Sequence, residues 1–336
     1  MNDGRTMAGK ELVLARELSR IIPDDPVARR AAARGELIRL RRGVYVDMAY
    51  WRTLSPDQRY RTVCRGYALS RDGSPVLSHH SAAAMHGLPM VGSWPSEIHV
   101  VTNRSSGGRS KASVVTHAVG IDSHDVVMVD GVLITGIERT VIDMSATLPD
   151  HAAVAMVDAA IHVDRFRAVE PMTTRAALID TWQRLLPFRG SVRSNSLVRF
   201  ADERAGSVAE STSRVTMALI GAPAPILQQQ FSIEGRIVET DFFWRDCGTI
   251  GEADGYGKYL RPELRAGRTV EQVVVDEKIR EDALRRQVDH FTRWDYAIGL
   301  SRDRLRARLA EASVPLGRPQ PLSQAIRRGF GASPPE

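Results

Sequence analysis

The chain has 336 residues, of which 43% are hydrophobic and 26% charged; this excludes a wholly disordered or collagen-like polymer and leaves room for two or three domains. No run reaches the roughly 18 apolar residues of a membrane span, and the first residues lack a signal-peptide core, so a cytoplasmic protein is expected. Two cysteines, Cys64 and Cys247, exclude a disulfide framework and a cysteine-based zinc site. The net charge of +6 is unevenly placed: residues 1–65 hold 14 basic and 8 acidic residues, an excess equal to that of the whole chain, 46 against 40. A basic segment on an otherwise neutral chain is the footprint of a polyanion-binding region.

In chain order, residues 9–21 place Leu12, Leu14, Ala15, Leu18 and Ile21 at helical spacing. After the break IIPDDP, Pro26 opens a short helix rich in alanine and arginine, which Gly35 ends. Two strands follow, Leu37–Leu40 and Val44–Val46, with Arg41-Arg42-Gly43 as the turn. A basic hairpin tip directly after a basic helix describes a winged helix-turn-helix, in which the helix enters the major groove and the wing lies along phosphates.

Helices are predicted over 55–70, with Ser55 as cap, and over 78–88, ended by Gly87 and Pro89. Strands are predicted at 97–102, 113–118 and 131–135, then helices at 137–146, 150–162 and 172–186. The polar loop NRSSGGRSKAS joining the first two strands is expected to be mobile, and it lacks the P-loop pattern. His79, His80 and His86 invite a metal reading, since a spacing of seven puts His79 and His86 on one helical face. Without a third ligand nearby in sequence, packing or capping is the expected role.

Residues 195–219 read as helical. Strands follow at 226–231, 236–244 and 249–254, then a helix at 270–288, a strand at 291–298 and a helix at 301–312. The stretch from Pro315 is rich in proline, glycine and arginine and is expected to be disordered. The mixed charges of 275–287 read as a solvated helical face with internal pairs. Phe242, Phe243 and Trp244 read as sheet core.

A hairpin centred near Cys247 sets Asp241 opposite 252–254, and strand alternation puts Glu252 and Asp254 on one face. Carboxylates gathered there suit Mg²⁺ or Mn²⁺, and such a metal activates water against a phosphodiester. Asp241 and Glu252 are thus the candidate metal ligands. Glu210 on the preceding helix and Asp254 would assist, and Lys258 would neutralise developing charge; together these five are the candidate catalytic residues.

This constellation resembles the PD-(D/E)XK nuclease superfamily, and more narrowly the endonuclease-like domains related to very-short-patch repair enzymes. The matching residues are Glu210, Asp241 and Glu252-Ala253-Asp254, over about residues 195–312. The superfamily usually ends its third-strand motif in lysine. Asp254 stands there instead, with Lys258 four residues on and Lys278 in the following helix.

The segments GELIRLRRGVYV, SHHSAAAMHGLP and GVLITGIERTVIDM, over about 9–165, resemble the AbiEi-like antitoxins of type IV toxin–antitoxin systems. That resemblance implies a winged-helix transcriptional regulator whose DNA contacts map here onto Arg29, Arg30, Arg34, Arg39, Arg41 and Arg42. It also implies a cognate nucleotidyltransferase-like toxin acting without direct contact, and no membrane partner.

The expected architecture is therefore a multidomain chain of α+β and α/β class. It comprises an N-terminal winged helix (1–54), an α+β middle domain (55–190), a restriction-endonuclease-like α-β-β-β-α-β core (195–312) and a disordered tail (313–336). The expected function is DNA-binding regulation of the antitoxin type. The alternative is a Mg²⁺-dependent DNA endonuclease targeted by its N-terminal domain.

Overall fold

The computed structural model describes residues 13–14, 26–71, 73–103, 113–164, 170–233, 235–254 and 270–330. Most of the predicted first helix (9–21) and of the glycine-rich loop, and Lys258, lie outside the described residues; the described part of 9–21, Val13–Leu14, is a strand and corrects the helical reading there. The protein is a mixed α/β chain with three sheets, and among the described residues no helix is long and apolar enough to cross a membrane. Contacts divide it into two compact units, Met1–Met144 and Ser145–Glu336.

The first unit opens with strand β1 (Val13–Leu14) and helix α1 (Pro26–Ala33). Ala28 and Ala31, three apart on α1, are buried against Leu37 and Tyr45. Strands β2 (Leu37–Arg41) and β3 (Val44–Asp47) form an antiparallel hairpin, and β1 pairs with the other edge of β3. Gly43 closes the turn at φ +75°, a conformation glycine adopts without a Cβ clash.

Helix α2 (Met48–Thr53) was not anticipated; Asp47 caps it by accepting from the Tyr50 amide at 2.8 Å. Helix α3 (Pro56–Leu69) begins as expected at Ser55, whose hydroxyl and amide exchange hydrogen bonds with Gln58 in a capping box. Tyr60, Cys64 and Tyr67 recur at helical spacing and are buried against a five-stranded sheet of order β6-β5-β4-β8-β7. Its strands are β4 (Val76–Leu77), β5 (Ile98–Val101), β6 (Val114–His117), β7 (Val126–Val129) and β8 (Val132–Thr135). Helix α4 (His79–His86) lies between β4 and β5 in the chain, and helix α5 (Ile137–Thr147) follows β8.

The second unit is built around helix α9 (Val208–Leu219), which is buried along almost its entire length. It packs on helix α6 (Asp150–Ile161), which in turn packs on α8 (Ser191–Phe200), with α7 (Arg175–Leu185) against α8. The helical stretch predicted over 195–219 is two helices, α8 and α9, because Asp202 turns the chain by accepting from the Arg204 amide at 3.0 Å and Ser207 caps α9.

A four-stranded sheet of order β12-β11-β10-β9 covers α9. Strands β9 (Ile226–Ile233), β10 (Arg236–Trp244) and β11 (Thr249–Asp254) are antiparallel neighbours, whereas β12 (His290–Asp295) runs parallel to β11 after helix α10 (Val270–Arg285). Phe242 and Trp244 are buried as expected, and Phe242 stacks on Trp294 with centroids 5.6 Å apart. Gly251 is required there: a Cβ on it would lie 2.7 Å from Cη2 of Trp294. The predicted strand 291–298 ends at Asp295, whose side chain caps the short helix α11 (Tyr296–Gly299). Helix α12 (Arg302–Glu311) follows.

The expectation of a disordered tail is corrected for the described part. Residues 322–327 form helix α13 with Leu322 and Ala325 buried, and Phe330 stacks on Phe200 at 5.7 Å. Two backbone bonds pin the connecting stretch, from Gly317 to the Gly221 carbonyl and from Gln320 to the Leu219 carbonyl. Composition suggested a segment unable to form a core, but a few apolar side chains suffice when a preformed helix pair receives them.

Candidate functional site

Two groups of side chains carry chemistry, one in each unit. In the first, burying Ala28 and Ala31 turns the rest of α1 outward, so Arg29, Arg30 and Arg34 are exposed. Arg39 on β2 and Arg42 in the turn are exposed as well, and Arg41 is half-buried. They are not equivalent as anion contacts. Arg34 is already neutralised by Glu36, with Nε 2.6 Å from Oε1. Arg30 donates to the Pro26 carbonyl at 3.2 Å, which costs it no charge. Arg41 lays its guanidinium 4.3 Å from the centroid of Tyr67 on α3, and Arg71, just beyond α3, stands over the same ring at 5.3 Å. Burial, and then the charge of Arg71, push Arg41 below its ordinary value. Arg71 was missed at the sequence level because it lies outside the basic segment.

The same unit gathers a histidine cluster that sequence spacing misassigned in part. His86 leaves the group, its Nε2 2.8 Å from the Thr135 carbonyl oxygen. His99 on β5 and His117 on β6 join His79 and His80 instead. The His79 and His117 rings stack at 3.5 Å, and His99 Nδ1 lies 2.9 Å from His117 Nε2. The expectation of a packing role holds for His79, which is only 5% exposed. Among the described residues, no three His, Cys, Asp or Glu side chains are arranged to hold a metal ion.

In the second unit the hairpin register is as predicted. Phe242 pairs with Gly251, which sets Asp241 opposite Glu252. Gly251 meets Trp244 and Trp294 on the face toward α9, where Trp294 Nε1 donates to Ser213 at 2.9 Å. By alternation Glu252 and Asp254 take the other face. That face is filled by arginine. Glu252 is buried, and its Oε2 accepts from Arg280 of α10 at 2.7 Å and from Arg293 of β12 at 3.0 Å. Arg293 also reaches Asp254 at 2.9 Å, Glu277 at 2.6 Å and Glu281 at 2.9 Å. Burial would raise the Glu277 carboxyl, but hydrogen bonds from Arg280 and Arg293 outweigh it and hold Glu277 below the usual carboxylate range. The reading of α10 as a self-contained solvated face is corrected: its Glu277, Arg280 and Glu281 bond into the sheet.

Glu210 and Asp241 are held differently. Glu210, buried at the start of α9, accepts from the Gly206 amide at 3.0 Å and from Gln228 of β9 at 2.9 Å. Gln228 stands opposite Asp241 in the β9–β10 register and has a left-handed φ of +52°. Asp241 Oδ2 accepts from the Ala253 amide at 2.9 Å. The sheet therefore brings Asp241 and Glu252 onto opposed positions and Glu210 one side chain away. As arranged, two guanidiniums occupy Oε2 of Glu252, and a divalent cation bound through that oxygen would have to displace them. Lys278 is exposed on α10.

No protein-family model matches the chain. It is similar to two uncharacterized proteins of Mycobacterium tuberculosis, MT2308 of strain CDC 1551 / Oshkosh and Rv2248 of strain H37Rv. Each is 30% identical over 166 residues, which span 46% of this chain and 59% of the relative.

Proposed function

We propose that this chain is a DNA-binding transcriptional regulator of the antitoxin type, with α1 meeting the major groove and the β2–β3 turn acting as a wing along the phosphates. The carrying observation is the exposure of Arg29, Arg30, Arg39 and Arg42 on one short helix and the hairpin that follows it. The helix–strand–turn–strand order of residues 26–47 supports the winged-helix reading. The restriction-endonuclease-like reading of residues 195–312 draws its support from the α-β-β-β-α-β order of α9 to β12 and from the Asp241–Glu252 register. Its arginine-filled acidic face favours a regulator over an active nuclease. The antitoxin assignment adds a cognate nucleotidyltransferase-like toxin encoded nearby, and no direct contact with it is required.

The test is binding of the full chain to its own upstream DNA across a salt series. Counting Arg29, Arg30, Arg39, Arg41 and Arg42 as phosphate contacts, log Kd should change with log salt with a slope of magnitude about 4–5. Between about 50 and about 200 mM salt, affinity should fall roughly 10²- to 10³-fold. Arg41→Ala with Arg42→Ala should reduce the slope by about two. Failure to bind at the lowest salt would remove this reading.

The second reading, a Mg²⁺- or Mn²⁺-dependent DNA endonuclease, is favoured by one observation, the opposition of Asp241 and Glu252. In it Asp241 and Glu252 would bind the metal, and Glu210, Asp254 and Lys258 would assist. Plasmid cleavage that needs the divalent ion and disappears in Asp241→Ala would establish it. Equal cleavage by the variant would mark a contaminant.

A further inference from the structure

We propose that Arg41 and Arg71, gathered on the ring of Tyr67, form a phosphate-binding site that carries the DNA-contacting surface beyond the β2–β3 turn onto the end of α3. The inference rests on the DNA-binding reading and deepens it by adding Arg71, which follows α3 rather than belonging to the helix or the wing.

Two guanidiniums share one aromatic ring, at 4.3 and 5.3 Å from its centroid. Arg41 is half-buried and Arg71 exposed, and like charges held close with one of them partly desolvated are unfavourable unless an anion sits with them. Many other arginines among the described residues have acidic partners. Arg34 has Glu36, Arg61 has Asp130, Arg139 has Asp125 and Asp143, Arg204 has Asp202, Arg214 has Asp158, and Arg280 and Arg293 share four carboxylates. Among the described residues, neither Arg41 nor Arg71 pairs with a carboxylate, and the neighbouring charge that lowers Arg41 is that of Arg71. Asp72, next in the chain, lies outside the described residues.

Geometry then selects the anion. A guanidinium laid over an aromatic face keeps its N–H groups at the edge, directed away from the ring. That edge is the fork that matches two phosphate oxygens. Neither side chain donates a hydrogen bond among the described residues, so both forks are open to a ligand. Tyr67 is 7% exposed and belongs to the core of the unit, so it positions the two side chains rather than offering a stacking platform. Arg42 is exposed in the adjoining turn, one residue from Arg41. The expected ligand is a phosphodiester of the duplex whose backbone the turn already follows.

The experiment uses the full chain and a random-sequence duplex of about 30 base pairs, since phosphate contacts are independent of sequence. Binding is followed by fluorescence anisotropy across a salt series for the wild type, Arg71→Ala, Arg71→Lys and Arg42→Ala. Arg71→Ala should weaken binding roughly three- to tenfold and lower the magnitude of the salt slope by about one. Arg71→Lys, which keeps the charge and loses the fork, should restore the slope but only part of the affinity. Circular dichroism of Arg71→Ala should be unchanged, because the side chain is exposed.

If Arg42→Ala weakens binding and Arg71→Ala does not, the phosphate site is overturned and the DNA-binding reading stands. If the wild type itself does not bind, both fall. A parallel thermal melt with inorganic phosphate separates the anion sources. Stabilisation by phosphate that vanishes in Arg71→Ala, with an unchanged DNA slope, would assign the pair to a free anion and overturn the duplex assignment.

Discussion

Acidification from about pH 7 to about pH 5 is expected to destabilise the first unit by about 2–3 kcal/mol through His99 and His117 alone, because these histidines are packed in neutral form. Burial lowers His79, His80, His99 and His117 below the ordinary histidine value, reinforced by neighbouring imidazoles for all but His80, which Glu97 partly opposes; His99 falls to about 3 and His117 to about 4. The unfolded chain takes up the His99 and His117 protons near pH 6.5, while the folded chain does not until about pH 3 and about pH 4. Between those limits the unfolded state binds more protons, so stability falls as pH falls. Above about pH 7 neither state is protonated and the effect vanishes. His99 and His117 each change stability by about 1.4 kcal/mol per pH unit, or about 2 kcal/mol by pH 5. Solvent reaching the edges of His99 and His117 screens part of their joint contribution. That loss is a large share of the roughly 5–15 kcal/mol that holds a domain together. Thermal melts at pH 7, 6 and 5 read it directly. The double variant His99→Gln, His117→Gln should flatten the dependence, and an unchanged slope would discard the account.

In the second unit, Arg214→Met should cost about 3–5 kcal/mol. Arg214 and Asp158 are 2% and 1% exposed and meet at 2.8 Å. The other arm of Arg214 donates to the Phe200 carbonyl at 2.7 Å, and Asp158 also accepts from the Asp202 amide at 2.8 Å. The pair thus ties α6, α9 and the turn after α8 together. Removing the arginine leaves a carboxylate with no route to water, so the loss exceeds that of an exposed ion pair severalfold. Arg214→Met combined with Asp158→Leu removes both charges and should recover most of the stability in urea unfolding. A double variant no more stable than Arg214→Met would show that packing, not the stranded charge, dominates.

Much of the fold was legible where local chemistry decides it. Ser55 with Gln58, the alanines of α1 and Gly43 each act within a few residues. So did the hairpin that opposes Asp241 and Glu252, because the turn at Cys247 sets the register alone. Elements fixed by distant partners were not legible. The strands at Val76–Leu77 and Val126–Val129 are too short to show a period. The partners of Glu252 lie 28 and 41 residues further along, and the charges of α10 pair just as well with one another on paper. Four histidines separated by a helix and two strands meet only once β5 and β6 are side by side.

The placement of helix α13 bears on how the chain is made. Leu322, Ala325 and Phe330 complete the packing around α8 and α9, helices that leave the ribosome more than a hundred residues earlier. Until those late residues emerge, Phe200 lacks its stacking partner and the nascent second unit keeps an uncovered apolar seam, a surface chaperones and proteases recognise. A message broken after codon 312 would therefore yield a product with its sheet present but that seam open, marked for disposal rather than accumulation.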